Sequence, residues 1–317
     1  MSATADHGLN HHAAATSAQS QAERSGPVRR GQQTIATTAV VEGFGYWSGD
    51  DVRVEFRPAA PDTGIVFVRG DLTPVVRVPA EVAYRIETPR RTTLTSGPGS
   101  VAMVEHIMAA LSGLQIDNCE VWIDRSEMPG CDGSSQPFVA ALDRAGIVPQ
   151  AALRPLLMVT ETTRLGDADH WIEARPSTDG QTRLRYRLDY SGRSAAIGRQ
   201  TAEFVITPDT FRRELAACRT FMLEEEATWL LSQGFGTRVT TSDVLIFNDD
   251  GPIDNELRFE NECVRHKVLD MVGDLALAGC DLLGHIIAHR TGHRLNAELL
   301  KVLIREGQQI DSRRMSA

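Results

Sequence analysis

The run Arg265-His266-Lys267-Val268-Leu269-Asp270-Met271-Val272-Gly273-Asp274-Leu275 places apolar residues at Val268, Leu269, Val272 and Leu275, the spacing of a helix with one face in a core. On such a helix His266 and Asp270, four residues apart, project from nearly the same side. A neutral imidazole and a carboxylate suit a zinc ion, which in catalytic sites takes three protein ligands and leaves one position for water. The ordinary alternative is a solvated i, i+4 pair on a helix surface. The metal reading therefore requires a third ligand from elsewhere in the chain.

Outward from this helix the sequence predicts two halves of similar construction. In the second half, strand-like runs over 156–161, 171–174, 184–190 and 200–206 lead to helical stretches over 209–217 and 224–233 and a strand over 243–247. The helix just described, about 261–278, follows, then a strand over 282–289 and a helix to about 305. In the first half, strands near 34–41, 52–57 and 65–68 precede a helix over 101–114, a strand over 119–123 and a helix over 135–145. Val104-Glu105-His106 opens one of the paired helices and Val264-Arg265-His266 the other, each followed by strand, turn and helix. This order predicts an α+β fold of two similar halves, each a β-sheet with two helices, packed helix layer against helix layer. The expected divisions are a disordered extension over 1–33, a first domain over 34–150, a second over 151–308 and a tail over 309–317, with the boundary in the proline-flanked segment 149–155.

Composition bounds the function. Forty-two per cent hydrophobic and 24 per cent charged residues are ordinary for a soluble domain protein. A formal net charge of −9 argues against general nucleic-acid binding, which needs a basic surface. No run approaches the length of a membrane-spanning helix. Cys119, Cys131, Cys218, Cys263 and Cys280 are odd in number and widely spaced, without a CxxC pair, which fits a reducing cytoplasmic setting. No P-loop, GxGxxG or GxSxG pattern is present.

The two-half order supplies the missing ligand, because His106 occupies a position comparable to His266. Glu105 points away from His106 on the same helix, so it can stand near the attacking water without ligating the metal, the placement of a general base. His293, after Gly292, is a candidate acid for a leaving group, and Asp274 can hold its imidazole in the charged form. The Thr220 hydroxyl is a candidate oxyanion donor, and Lys267 and Arg290 offer local positive charge for phosphates.

An ordered set of segments resembles the bacterial UDP-3-O-acyl-N-acetylglucosamine deacetylases of lipid A synthesis: Val104-Glu105-His106-Ile107-Met108-Ala109-Ala110-Leu111, Asp132-Gly133-Ser134-Ser135, Arg219-Thr220-Phe221, Leu257-Arg258-Phe259-Glu260, Arg265-His266-Lys267-Val268-Leu269-Asp270 and Gly292-His293. The resemblance implies one zinc ion per chain at the junction of the halves, with His106, His266 and Asp270 as ligands and Glu105 as base. It implies His293 as the acid, oriented by Asp274, and Thr220 beside the oxyanion. Lys267 would meet the substrate diphosphate and Phe221 would line the nucleotide-sugar site. The implied reaction is hydrolysis of the N-acetyl amide, with the 3-O-acyl chain in an apolar insert within 227–247 that contains Trp229, Leu230, Leu231 and Phe235. Apart from the resemblance, the expectation is a monomer, without nucleic acid or membrane insertion. Family members carry His-Thr-Gly where this chain reads Trp47-Ser48-Gly49, and a glycine-rich stretch where it reads Thr237-Arg238-Val239-Thr240-Thr241. A zinc amidase of the same fold with another substrate and a non-catalytic binder of nucleotide-sugar lipids are the competing readings.

Overall fold

The computed structural model describes residues 29–306 and 308–310. Two mixed five-stranded sheets carry the two halves of an α+β protein. In spatial order the first sheet is Ala39–Phe44, Asp51–Pro58, Cys119–Ile123, Ile65–Arg69 and Val76–Pro79. The second is Thr163–Gly166, Trp171–Arg175, His285–His289, Arg183–Asp189 and Arg199–Val205. Both sheets thus run first, second, fifth, third, fourth along the chain. In both, the only parallel pairing joins the fifth strand to the third.

The helices repeat as well. In the first half α1 (Glu105–Gly113) precedes the last strand of its sheet and α2 (Gln136–Ala145) follows it. The second half first inserts α3 (Pro208–Thr210), which continues into a π-helical turn over Phe211–Leu215, and then α4 (Glu224–Ser232). There α5 (Glu262–Ala276) precedes the last strand and α6 (His293–Glu306) follows it. The counterpart helices α1 and α5 pack against each other between the two sheets.

That crossing explains both sequences. Residues Glu105 to Leu111 of α1 are all buried, and an isolated helix this short is marginal in water, so its surroundings hold it. Gly273 lies in the interior of α5, where glycine costs about 1 kcal/mol relative to alanine. A Cβ there would stand 2.0 Å from the carbonyl oxygen of Glu105 and 3.2 Å from the amide nitrogen of Ala109. The glycine lets one helix backbone lie on the other, which sets the spacing of every side chain at the crossing.

Several boundaries differ from the sequence reading. Of the extension expected over 1–33, residues 1–28 lie outside the described residues, and its end is ordered as strand Gly31–Ile35. This strand pairs antiparallel with Ile147–Leu153, so most of the expected boundary segment is itself a strand. The helix expected from Val101 begins at Glu105, because Gly99–Ala102 pairs with Thr93–Ser96 as a hairpin across Gly97-Pro98. The expected strand over 282–289 is broken at Gly284: Asp281–Leu283 pairs with Leu156–Met158, and His285–His289 joins the five-stranded sheet. Gln308–Ile310, which spans the expected boundary between the second domain and the tail, also pairs with Leu156–Met158, while 311–317 lie outside the described residues. Among the described residues no helix is long and apolar enough to cross a membrane.

Candidate metal centre and active site

The crossing of α1 and α5 brings His106, His266 and Asp270 together, all buried, with one potential ligand atom of each within 4.8 Å of the others. His266 Nδ1 lies 3.1 Å from the Cys218 carbonyl oxygen, so Nδ1 carries the proton and donates it. This leaves the Nε2 lone pair facing Asp270 Oδ1 at 3.3 Å. Burial pushes the His266 imidazole down to about 3, against the pull of Asp270, so it is neutral, as a metal ligand must be.

Asp270 divides its two oxygens. Oδ2 accepts a hydrogen bond from Lys267 Nζ at 2.9 Å, whereas Oδ1 is buried without a hydrogen-bond partner and lies 3.7 Å from His106 Nε2. Burial alone would raise the Asp270 pKa, but the positive charges of Lys267, in direct contact, and of His293 beyond it outweigh burial and hold the carboxyl ionised. A buried, charged, unpartnered oxygen is costly to leave so. Two imidazoles and one carboxylate converging on it are a donor set that fits a divalent metal ion.

Beside this group stands a second set of polar side chains. His293, the first residue of α6, has Nδ1 2.8 Å from Asp274 Oδ2 and Nε2 3.8 Å from Glu105 Oε1. Burial would lower the His293 pKa, but Asp274 and Glu105 outweigh it and push it up to about 10. Burial raises the Glu105 carboxyl above its ordinary range, with His293 and His106 opposing. The geometry thus places a carboxylate with proton affinity above the ordinary beside an imidazole that holds its proton, the pairing that acid–base chemistry near neutrality uses.

Two residues that the sequence reading passed over hold this pair. Thr92, fully buried, donates its backbone N–H to Glu105 Oε2 at 2.9 Å and its hydroxyl to Asp274 Oδ1 at 2.7 Å. Asn296 Nδ2 donates to Asp274 Oδ2 at 2.9 Å. A third unforeseen device is the buried ion pair Arg219–Glu262, 2.8 Å, in which Glu262 of the first turn of α5 also accepts the Arg219 backbone N–H. It fastens the segment carrying Cys218 and Thr220 to the helix that carries His266.

The site opens into a cavity of about 320 Å³. Glu105, His106, His266, Asp270 and His293 line one part, and Thr220, Phe221 and Lys267 also reach it. The Phe221 ring lies 6.4 Å from the His266 ring, with Lys267 Nζ 5.5 Å from its centroid. The remaining wall is mostly apolar and includes Leu230, Leu231 and Phe235 of the expected insert. Arg290 is not brought here: its φ of 51° turns the chain after His289, and the residue is exposed and outside the cavity lining.

A family model described as UDP-3-O-acyl N-acetylglycosamine deacetylase matches residues 32–305. A UDP-3-O-acyl-N-acetylglucosamine deacetylase of Chlamydia felis is 38% identical over 282 residues, covering 89% of this chain and 99% of the relative. That of Thermosynechococcus vestitus is 37% identical over 285 residues, covering 89% and 98%. That of Brucella ovis is 38% identical over 275 residues, covering 86% and 95%.

Proposed function

Because the chain belongs to the UDP-3-O-acyl-N-acetylglucosamine deacetylase family, we propose that it hydrolyses the N-acetyl amide of a UDP-linked, 3-O-acylated N-acetylglucosamine, releasing acetate and the free amine for lipid A synthesis. The observation that carries this reading is the buried His106, His266 and Asp270 group, with the unpartnered Asp270 Oδ1, set directly beside Glu105 and the His293–Asp274 pair. The three ligands would hold one zinc ion per chain. When bound, the ion supplies Lewis acidity at the amide carbonyl and lowers the pKa of water.

The chain's own groups do the rest. Glu105 takes the proton of the attacking water, held in place through Oε2 by the Thr92 N–H. His293 donates the proton from Nε2 to the departing amine, and the Asp274 carboxylate stabilises its charged form. The Thr220 hydroxyl donates to the tetrahedral oxyanion. Lys267 meets the diphosphate and Phe221 flanks the nucleotide sugar, while the apolar wall takes the acyl chain. Such an enzyme acts as a monomer in the cytoplasm.

The test is acetate release from that substrate by purified protein, before and after chelation and after zinc is restored. Zinc determination is expected to give one ion per chain, with activity lost on chelation and recovered on zinc addition. Full turnover in demonstrably metal-free protein sinks the reading.

Thr92→Val separates positioning from bulk. The isostere keeps the backbone N–H on Glu105 but removes the donor to Asp274 Oδ1, leaving a buried carboxylate oxygen unpaired at a cost of about 1–3 kcal/mol. The variant is expected to melt several degrees lower and to lose kcat with little change in KM, and Thr92→Ser to recover both. Wild-type kcat in Thr92→Val removes this threonine from the assembly.

A further inference from the structure

The apolar wall of the cavity includes a pair of rings, one from each half of the molecule. Trp47 and Phe235 both line it, their ring centroids 5.5 Å apart and their planes at 65°, an edge-on contact. Neither ring is placed by that contact alone. The backbone N–H groups of Trp47 and Ser48 donate to the two oxygens of Glu127, each at 2.8 Å, and Glu127 is itself buried. The Arg91 guanidinium lies over the Trp47 ring, 4.2 Å from its centroid. Arg238 donates to the Gly49 carbonyl at 2.6 Å and to Asp51 at 2.8 Å, tying the segment after Phe235 to the loop that carries Trp47.

Trp47-Ser48-Gly49 and Thr237 to Thr241, which stand far apart in sequence, therefore meet and form one structure. Phe235 is 42% exposed, so this structure lies where the apolar wall reaches solvent. At that point the wall presents the two rings, the Arg91 guanidinium stacked on Trp47, and the ring faces and edges are a surface suited to a methylene chain. We infer that Trp47, with Phe235 as its partner, is the length gauge for the 3-O-acyl chain, an inference that rests on the deacetylase reading above. A chain that ends beneath the rings buries its last methylenes against them. A longer one must displace the indole, whose backbone Glu127 holds fixed.

The test uses the zinc-loaded full chain and two substrates, the decanoyl and hexadecanoyl forms of UDP-3-O-acyl-N-acetylglucosamine. In Trp47→Ala the ratio of kcat/KM for the long over the short chain is expected to rise by about tenfold or more, the discrimination of a few contacts in an apolar pocket. Phe235→Ala is expected to move it in the same direction. The double variant should add less than the two separate effects combined, because the rings share one contact. Dissociation constants of both substrates, measured by calorimetry in a Glu105→Gln background, are expected to shift in the same sense. Melting temperature and zinc content establish that each variant is folded. Should Trp47→Ala not fold, the half-exposed Phe235 carries the test alone. Folded variants with a wild-type ratio overturn the gauge while leaving the deacetylase reading standing. A wild-type protein that releases acetate from neither substrate overturns both.

Discussion

Glu105→Gln is expected to lower kcat by about 10²- to 10⁴-fold, the range that a positioned general base contributes, while zinc stoichiometry and KM stay close to wild type. The prediction separates two kinds of residue that share one helix turn. His106 belongs to the metal-ligand group and Glu105 does not, so the substitution spares the ion. The glutamine carbonyl oxygen can still accept the Thr92 N–H, so the side chain keeps its place. What it loses is the ability to take a proton. Burial lifts the Glu105 carboxyl above the ordinary range, so turnover in the wild type should rise as pH climbs through that raised value. It should fall again only as His293, pushed up to about 10, gives up its proton. The acid limb is expected to vanish in Glu105→Gln and the alkaline limb to remain. A Gln variant within a few-fold of wild-type kcat would assign the base to another group.

Which parts of this site were legible in the sequence follows from the range of the interactions that make it. The period of Val268, Leu269, Val272 and Leu275 is local, so the helix and the shared face of His266 and Asp270 could be read directly. The pairing of His106 with His266 rested on the repeated order of elements, and the identical strand order of the two sheets gives that repeat its physical basis. Thr92, Asn296 and the Arg219–Glu262 pair left no such trace. Thr92 precedes an ordinary hairpin, and its two partners stand on α1 and α5. Glu262 reads from sequence as an unremarkable first-turn acid, and nothing local says that a buried arginine far upstream sits on it.

The misplaced boundaries have the same origin. Val101 suits a helix start as well as a strand, and only its pairing with Leu94 in the hairpin decides. Pro149 and Pro155 read as a break because the partner strand, Gly31–Ile35, lies at the other end of the first half. Arg290 is near His293 in sequence, but nearness along the chain does not set direction, and the residue stands exposed outside the cavity lining.

Gly273→Ala adds a single methyl group, yet it is expected to damage stability and metal binding together. Alanine favours an isolated helix by about 1 kcal/mol over glycine, so propensity alone predicts a more stable protein. The crossing predicts the reverse. The new Cβ would meet the Glu105 carbonyl oxygen at 2.0 Å and its carbon at 2.9 Å, both backbone atoms of a buried helix, so no side-chain rotation relieves the contact. Relief requires α5 to move off α1, and overpacking of this kind typically costs about 1–3 kcal/mol. The same movement draws His266 and Asp270 away from His106, and disturbance of the support around metal ligands typically weakens affinity about 10- to 100-fold. Melting curves of the metal-free and zinc-loaded protein, with zinc affinity by competition against a chelator, measure the two losses separately. Gly192→Ala is the control, since a Cβ there meets nothing within 4 Å. If Gly273→Ala matches that control in both melting temperature and zinc affinity, the close crossing of α1 and α5 is not what holds the three ligands together.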